Sequence, residues 1–192
     1  MKKVYLESER LVLREFTLDD FQDLLDLDSD PEVMKYLTFK KPTPPDKVRK
    51  ILNRFIEWHS VHGGQLGFWV AEMKSSQEFI GWFHLRPAKN ELENTKRLEL
   101  GYRLKKSSWG QGFATEGTIA LIEKAFVSLK AEEVFADTMK KNIASQRVME
   151  KSGLSFETDF YEHNFPNSGE LEVRYSLKRV DFNHEELDNE RA

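Results

Sequence analysis

No cysteine occurs anywhere in the 192 residues. Its absence excludes disulfide scaffolds, thiolate zinc sites and cysteine nucleophiles, and it fits a reducing compartment. An excess of positive charge is also missing. The 29 Lys and Arg stand against 33 Asp and Glu, for a formal net charge of −4. That balance argues against nucleic acid or an anionic membrane as the main partner. No apolar run approaches the roughly 20 residues of a bilayer span. Met1 to Arg10 carries two lysines with no apolar stretch behind them, so no signal peptide is expected. Internal repeats and low-complexity segments are lacking too. These absences predict a soluble, cytoplasmic protein that needs no metal to fold. The length corresponds to about one domain, one that buries roughly 70% of its unfolded surface.

What is present has a mixed periodicity. Leu11, Leu13 and Phe16 alternate as in a first strand. Thr17 and Asp20 resemble a capping box ahead of Phe21, Leu24 and Leu25 at helical spacing. Asp30-Pro31 reads as the start of a short helix. Asp46 opens a longer one, with Val48, Ile51, Leu52, Phe55 and Ile56 on one face and Gly63-Gly64 after it. Leu66 to Met73 and Glu78 to Leu85 read as a hairpin, and Arg97 to Leu104 as the next strand. A glycine-bearing loop, Lys105 to Phe113, precedes a helix carrying Ala114, Thr118, Leu121, Ile122, Ala125 and Leu129. A strand follows from Val134 to Met139, a helix from Ile143 to Ser152, and strands near Ser155 to Tyr161 and Leu171 to Lys178. The unit from Arg97 to Met139 predicts a right-handed crossover between parallel strands.

Trp109-Gly110-Gln111-Gly112-Phe113-Ala114-Thr115 lies between that strand and its helix. Glycines let backbone N–H groups converge, and a helix N-terminus adds unpaired donors and partial positive charge, which together suit a pyrophosphate. Two glycines alone fit a plain turn equally well. The P-loop pattern is absent. The dinucleotide fingerprint lacks its third glycine, since position 115 is Thr. A second cluster, Asn142 to Phe156, starts with a natural N-cap and closes at Gly153.

Together the two stretches resemble the GNAT N-acetyltransferase superfamily, and within it the ribosomal-protein-alanine acetyltransferase (RimJ/RimL-like) branch. The first resembles the Gln/Arg-x-x-Gly-x-Gly/Ala signature, with Gly112 and Ala114 in the small positions and Trp109 in the first. The second resembles Asn-x-x-Ser-x-Arg-x-x-x-Lys-x-Gly-Phe at Asn142, Ser145, Arg147, Lys151 and Gly153, with Leu154 in the Phe slot and Phe156 displaced. The likeness runs from about Leu6 to Leu177.

The resemblance implies a single α/β (α+β) domain, residues 1–180, with a charged tail at 181–192. Its sheet is mixed, mostly antiparallel, of about seven strands, splayed at the cofactor site with helices on both faces. It implies direct acetyl transfer from acetyl-CoA to a primary amine on a protein N-terminus, a peptide or a small molecule. Neither metal, nucleic acid nor membrane is implied, and a homodimer is compatible with the branch. Backbone groups of Tyr102, Arg103 and Leu104 would bond the pantetheine arm, those of Trp109, Gly110, Gln111, Gly112, Phe113, Ala114 and Thr115 the pyrophosphate, and Asn142 the pantetheine. Arg147, Lys151 or the Lys140-Lys141 pair would meet phosphates.

For the base, Glu99 stands first. It lies on the strand leading into the cofactor loop, where apolar neighbours would raise its pKa. A strand-face ion pair accounts for it equally well. His84 is the second candidate, and Glu162 is placed in a late loop that could face the acceptor. Many family members put a tyrosine acid seven residues after the Asn, but here that position is Met149. Ser145 becomes the hydroxyl nearest the sulfur. Trp58, Trp69, Trp82, Phe83 and Phe39 line an acceptor pocket or simply fill the core. A non-catalytic acyl-CoA-binding module is the alternative class, and a nucleotide-binding domain the third.

Overall fold

The structure is a computed structural model and describes residues 3–37, 41–161 and 170–182. Among them eight strands form one sheet: β1 (Val4–Glu7), β2 (Leu11–Glu15), β3 (Gly67–Met73), β4 (Phe79–Pro87), β5 (Arg97–Leu104), β6 (Glu133–Met139), β7 (Ser155–Tyr161) and β8 (Leu171–Lys178). Their spatial order is β1-β2-β3-β4-β5-β6-β8-β7. The sequence pattern predicts about seven; β1 is the addition. It is a four-residue edge strand with both end residues exposed, too short to show an alternating pattern.

Every pairing is antiparallel except β5 with β6, as the crossover requires. That parallel pairing covers only Arg97–Glu99 against Glu133–Phe135. Beyond it β5 stays paired with β4 as far as Leu104, and β6 with β8 as far as Met139. Each strand is held by its outer neighbour, so the sheet opens between them into a V.

Alternation along the strands sends side chains to two separate cores. On one face lie α1 (Phe21–Ser29), α2 (Pro31–Met34) and α3 (Pro45–Val61). Leu24, Val48, Leu52 and Phe55 pack there on Phe68, Val70 and Trp82. On the other face lie α4 (Phe113–Glu123), continued by a wider turn to Ser128, and α5 (Ile143–Lys151). Leu121, Ile122, Phe126 and Met149 pack there on Trp69, Phe83, Leu98 and Leu100. Trp69 and Phe83 are fully buried core residues. Gly117 lets α4 lie directly on β4, because a Cβ there would come within 2.3 Å of the Phe83 ring.

The helix starts are those the sequence marks. Asp30 Oδ1 accepts from the Glu32 N–H at 2.9 Å, and Asn142 Oδ1 from the Ser145 N–H at 3.3 Å. Thr17 N–H donates to Asp20 Oδ2 at 2.7 Å. Asp20 is buried because Arg14, also buried, pairs with it and with Glu72, each at 2.6 Å. No helix among the described residues is long and apolar enough to cross a membrane.

Candidate active site

The V between β5 and β6 opens into a cavity of about 970 Å³ that reaches both faces of the sheet. Fifteen of the residues singled out from the sequence line it: His84, Glu99, Tyr102, Arg103, Leu104, Trp109, Gly110, Gly112, Phe113, Ala114, Thr115, Asn142, Ser145, Arg147 and Lys151. Gln111 does not. Its side chain turns back to donate to the Ser107 carbonyl at 2.7 Å, which leaves only its backbone for a ligand. Glu162, the loop around it and Phe39 lie outside the described residues.

At one end the glycine loop has a backbone form that would suit an anion. Gly110 and Gly112 take φ of +73° and +83°, a left-handed conformation that glycine adopts at little cost. Among the described residues, no backbone N–H from Gly110 to Thr115 has a protein acceptor. Hydrogen bonds to a charged acceptor are worth about 1.5–3 kcal/mol each, against ~0.3–1 for the helix dipole. The N–H groups therefore carry such a site. Arg10 braces the turn: it donates to the Gln111 carbonyl at 3.0 Å and to Glu116 at 2.6 Å, and it stacks on the Phe113 ring. Trp109 ties the loop to β5 by donating from Nε1 to the Leu104 carbonyl at 2.9 Å. Arg147 and Lys151 are exposed at the cavity wall with no carboxylate partner among the described residues. Lys140 and Lys141 instead pair with Asp159 and Glu170 at 2.9 Å each, as surface lysines do.

Midway along the V, the Tyr102 and Ser145 hydroxyls lie 3.1 Å apart across the gap between β5 and α5. Burial pushes the Tyr102 phenol up to about 12, partly opposed by Ser145. Asn142, besides capping α5, donates to Thr138 Oγ1 at 3.2 Å. Met149 is 3% exposed and belongs to the core.

The other end is built of side chains on the α1–α3 face. Glu99 sits beside His84, with Nε2 and Oε1 3.6 Å apart, and accepts from Arg86 at 2.7 Å. The expectation of a raised Glu99 pKa is overturned. Burial does push the carboxyl up, but His84 and the Arg86 guanidinium outweigh it and bring it to about 2. For His84 burial dominates, and the imidazole lies below its usual value. It is therefore neutral near pH 7, which leaves the Arg86 ion pair as the firmer cause of the lowered Glu99 pKa. Both imidazole nitrogens are buried without a hydrogen-bond partner. The ring fits only because its cross-strand neighbour is Gly101, where a Cβ would fall 2.5 Å from Cε1.

For Arg103 the sequence reading concerns the backbone; the side chain points away from the glycine loop, pairs with Asp28 of α1 and lies over the Trp82 ring. Trp82, Trp58, Phe55 and Phe68 form an aromatic wall next to His84. Arg10, Arg86, Asp28 and Asp137 escaped the sequence reading. Asp137, on β6, lines the same cavity and is held by Arg174 in a two-bond pair at 2.7 Å. Only strand parity, which puts residues 82, 84 and 86 on one face, could have grouped Arg86 with His84 beforehand.

The acetyltransferase (GNAT) domain family model matches residues 10–155. The FsC-acetyl coenzyme A-N(2)-transacetylase of Aspergillus fumigatus is 37% identical over 177 residues, 88% of this chain and 71% of that protein. A Bacillus anthracis acetyltransferase (GNAT family) superposes with a TM-score of 0.78 at 21% identity, covering 91% of this chain and 98% of the other. A RimL ribosomal L7/L12 alpha-N-protein acetyltransferase in complex with coenzyme A superposes with a TM-score of 0.75 at 18% identity, covering 92% and 98%.

Proposed function

This chain belongs to the acetyltransferase (GNAT) domain family, and on that premise we propose that it moves an acetyl group from acetyl-CoA directly to a primary amine. The observation that carries this reading is the V-shaped cleft. Free backbone donors stand at one end of it and a buried Glu99–His84 pair at the other. The N–H groups from Gly110 to Thr115 would hold the pyrophosphate, with Arg147 and Lys151 beside it. Tyr102 to Leu104 present strand edge to the pantetheine arm, as an added strand would use it. When bound, acetyl-CoA supplies the thioester.

Glu99 and His84 divide the work on the amine. Glu99, ionised at any working pH, receives the acceptor ammonium. Its proton passes to His84 Nε2, which is neutral and hydrogen-bond free, and the Glu99 carboxylate 3.6 Å away stabilises the resulting imidazolium. Glu99, its carboxylate held ionised by the Arg86 ion pair, is the charge partner in this step. Ser145 provides the hydroxyl nearest the departing sulfur. Within the family the RimJ/RimL-like branch is the reading supported by Trp109 in the first position of the cofactor signature. For the acceptor, the aromatic wall beside His84 favours an amine attached to an apolar or flat body. The name of the Aspergillus relative, an acetyl coenzyme A-N(2)-transacetylase, supports acetyl coenzyme A as donor and a nitrogen as acceptor.

Isothermal titration with acetyl-CoA, CoA and ATP, followed by amine-dependent CoA release with a polyamine, an alanyl peptide and an α-amino ester, tests the reading. Micromolar binding of acetyl-CoA and CoA but not ATP, with turnover on one amine, is the expected result. Tight CoA binding without turnover on any amine would make the chain a CoA-binding module. Equal affinity for ATP would make it a nucleotide-binding domain.

A further inference from the structure

Ser145 has a rotatable hydroxyl, and a serine O–H facing a departing thiolate is useful only if its proton points at the sulfur. Its surroundings restrict that choice. The Ser145 backbone N–H is taken by Asn142 Oδ1, and Ser145 Oγ meets the Tyr102 hydroxyl 3.1 Å away. Tyr102 lies on β5 between Leu104, at the glycine loop, and Glu99, at the acceptor end. A CoA arm running from the glycine loop toward Glu99 would bring its sulfur to this level. Position 149 offers no hydroxyl, because Met149 is sunk in the core.

We propose that Tyr102 is a positioning residue: its O–H donates to Ser145 Oγ, which turns the Ser145 proton toward the sulfur of CoA. The proposal rests on the acetyl-transfer reading above. Tyr102 is half-buried against Phe83, with ring centroids 5.7 Å apart. Its raised pKa keeps the phenol protonated across the working pH range. It is therefore a permanent donor and a poor acid, and it loses no proton in the reaction. The nitrogen–carbon bond forms and the carbon–sulfur bond breaks, and the surplus proton on the new amide nitrogen leaves to solvent. The electron pair stays on sulfur, where the Ser145 O–H meets it, and the proton that finally makes the thiol comes from solvent.

The test needs no acceptor, because CoA itself is the probe. A donor aimed at sulfur favours thiolate over thiol, so enzyme-bound CoA should titrate below free CoA. One hydrogen bond to a charged group corresponds to a shift of about one pKa unit, or tenfold in the thiolate-to-thiol ratio. The thiolate is followed by its ultraviolet absorbance during pH titration of saturated complexes of wild type, Tyr102→Phe, Ser145→Ala and the double variant. Glu99 and Arg103 on β5, Asp137 on β6 and Arg147 and Lys151 on α5 line the same cavity and stay unchanged throughout, so their field cancels in the comparison.

The expected result is a lowered thiol pKa in wild type, restored by each single variant and restored no further by the double. A Tyr102→Phe complex that binds CoA with the wild-type thiol pKa overturns the proposal, as do additive effects of the two substitutions. If Tyr102→Phe does not fold, Ser145→Ala decides: an unmoved pKa there overturns the pair and a raised one supports it. Failure of wild type to bind CoA at all overturns the acetyl-transfer reading instead, and this proposal with it.

Discussion

The cleft has two faces made of different material. On the α4–α5 face it is mostly backbone: a run of free N–H groups over two left-handed glycines, contiguous in sequence from Gly110 to Thr115. On the α1–α3 face it is side chain: Glu99 from β5, His84 and Arg86 from β4, Asp28 from α1 and Trp58 from α3. A backbone site suits a group that all substrates of a family share, which on the proposed function is the pyrophosphate, and it tolerates changes in its side chains. A side-chain site can change with each acceptor without moving the fold. The difference teaches where affinity and where specificity reside.

Substitutions on each face should separate the two. The largest effect is expected from Gly112→Trp, which forces a side chain into a left-handed backbone within 3.3 Å of Arg10 Nη2. CoA binding should disappear in calorimetry while the circular dichroism of the fold persists; retained affinity would break the assignment of the glycine loop. Glu99→Gln keeps an acceptor for Arg86 but removes the charge. It should lower kcat about a hundredfold or more and leave the dissociation constant of acetyl-CoA unchanged. A parallel loss of cofactor affinity would mean that the two faces are not independent.

His84→Gln should cost about tenfold to a hundredfold in kcat and abolish the acid limb of the pH profile. In wild type that limb lies below the ordinary imidazole value of about 6.5, since folding lowers the His84 pKa. The same sign governs stability: the unfolded chain binds this proton more readily, so stability falls as pH drops through 6.5 and below. Glu99, Arg86 and Lys89 are the charged groups that face the ring. An acid limb that survives in the variant would place the proton elsewhere. Arg147→Ala should have the smallest effect, about a fivefold weaker CoA complex, because an exposed ion pair contributes roughly 1 kcal/mol or less. That penalty should shrink at high salt in a titration series.

Recognition from sequence followed the same division. The cofactor side was legible because its determinants are local. Trp109 to Thr115 and Asn142 to Gly153 are continuous stretches, each at a helix start, and position alone tells what their backbone does. Seven of the eight strands were legible through alternation, and β1 was not, being four residues long with exposed ends. The acceptor side was read only in part. Glu99 and His84 were picked out singly, but Glu99 was given a pKa of the wrong direction. Its shift depends on Arg86, thirteen residues away along the chain and adjacent only through the β4–β5 register. The Arg103 side chain pairs with Asp28 of α1, 75 residues away along the chain, a contact that no local pattern records.

The sequence alone determined the element types, the parallel crossover, the place of the glycine turn and the missing hydroxyl at position 149, because each follows from residues a few positions apart. The tertiary structure decided how far β5 and β6 stay paired before parting, which carboxylate is ionised, which imidazole is left without a partner and which tyrosine meets Ser145. Those are properties of groups distant in sequence and close in space, where burial and charge act over a few ångströms and no local pattern records them.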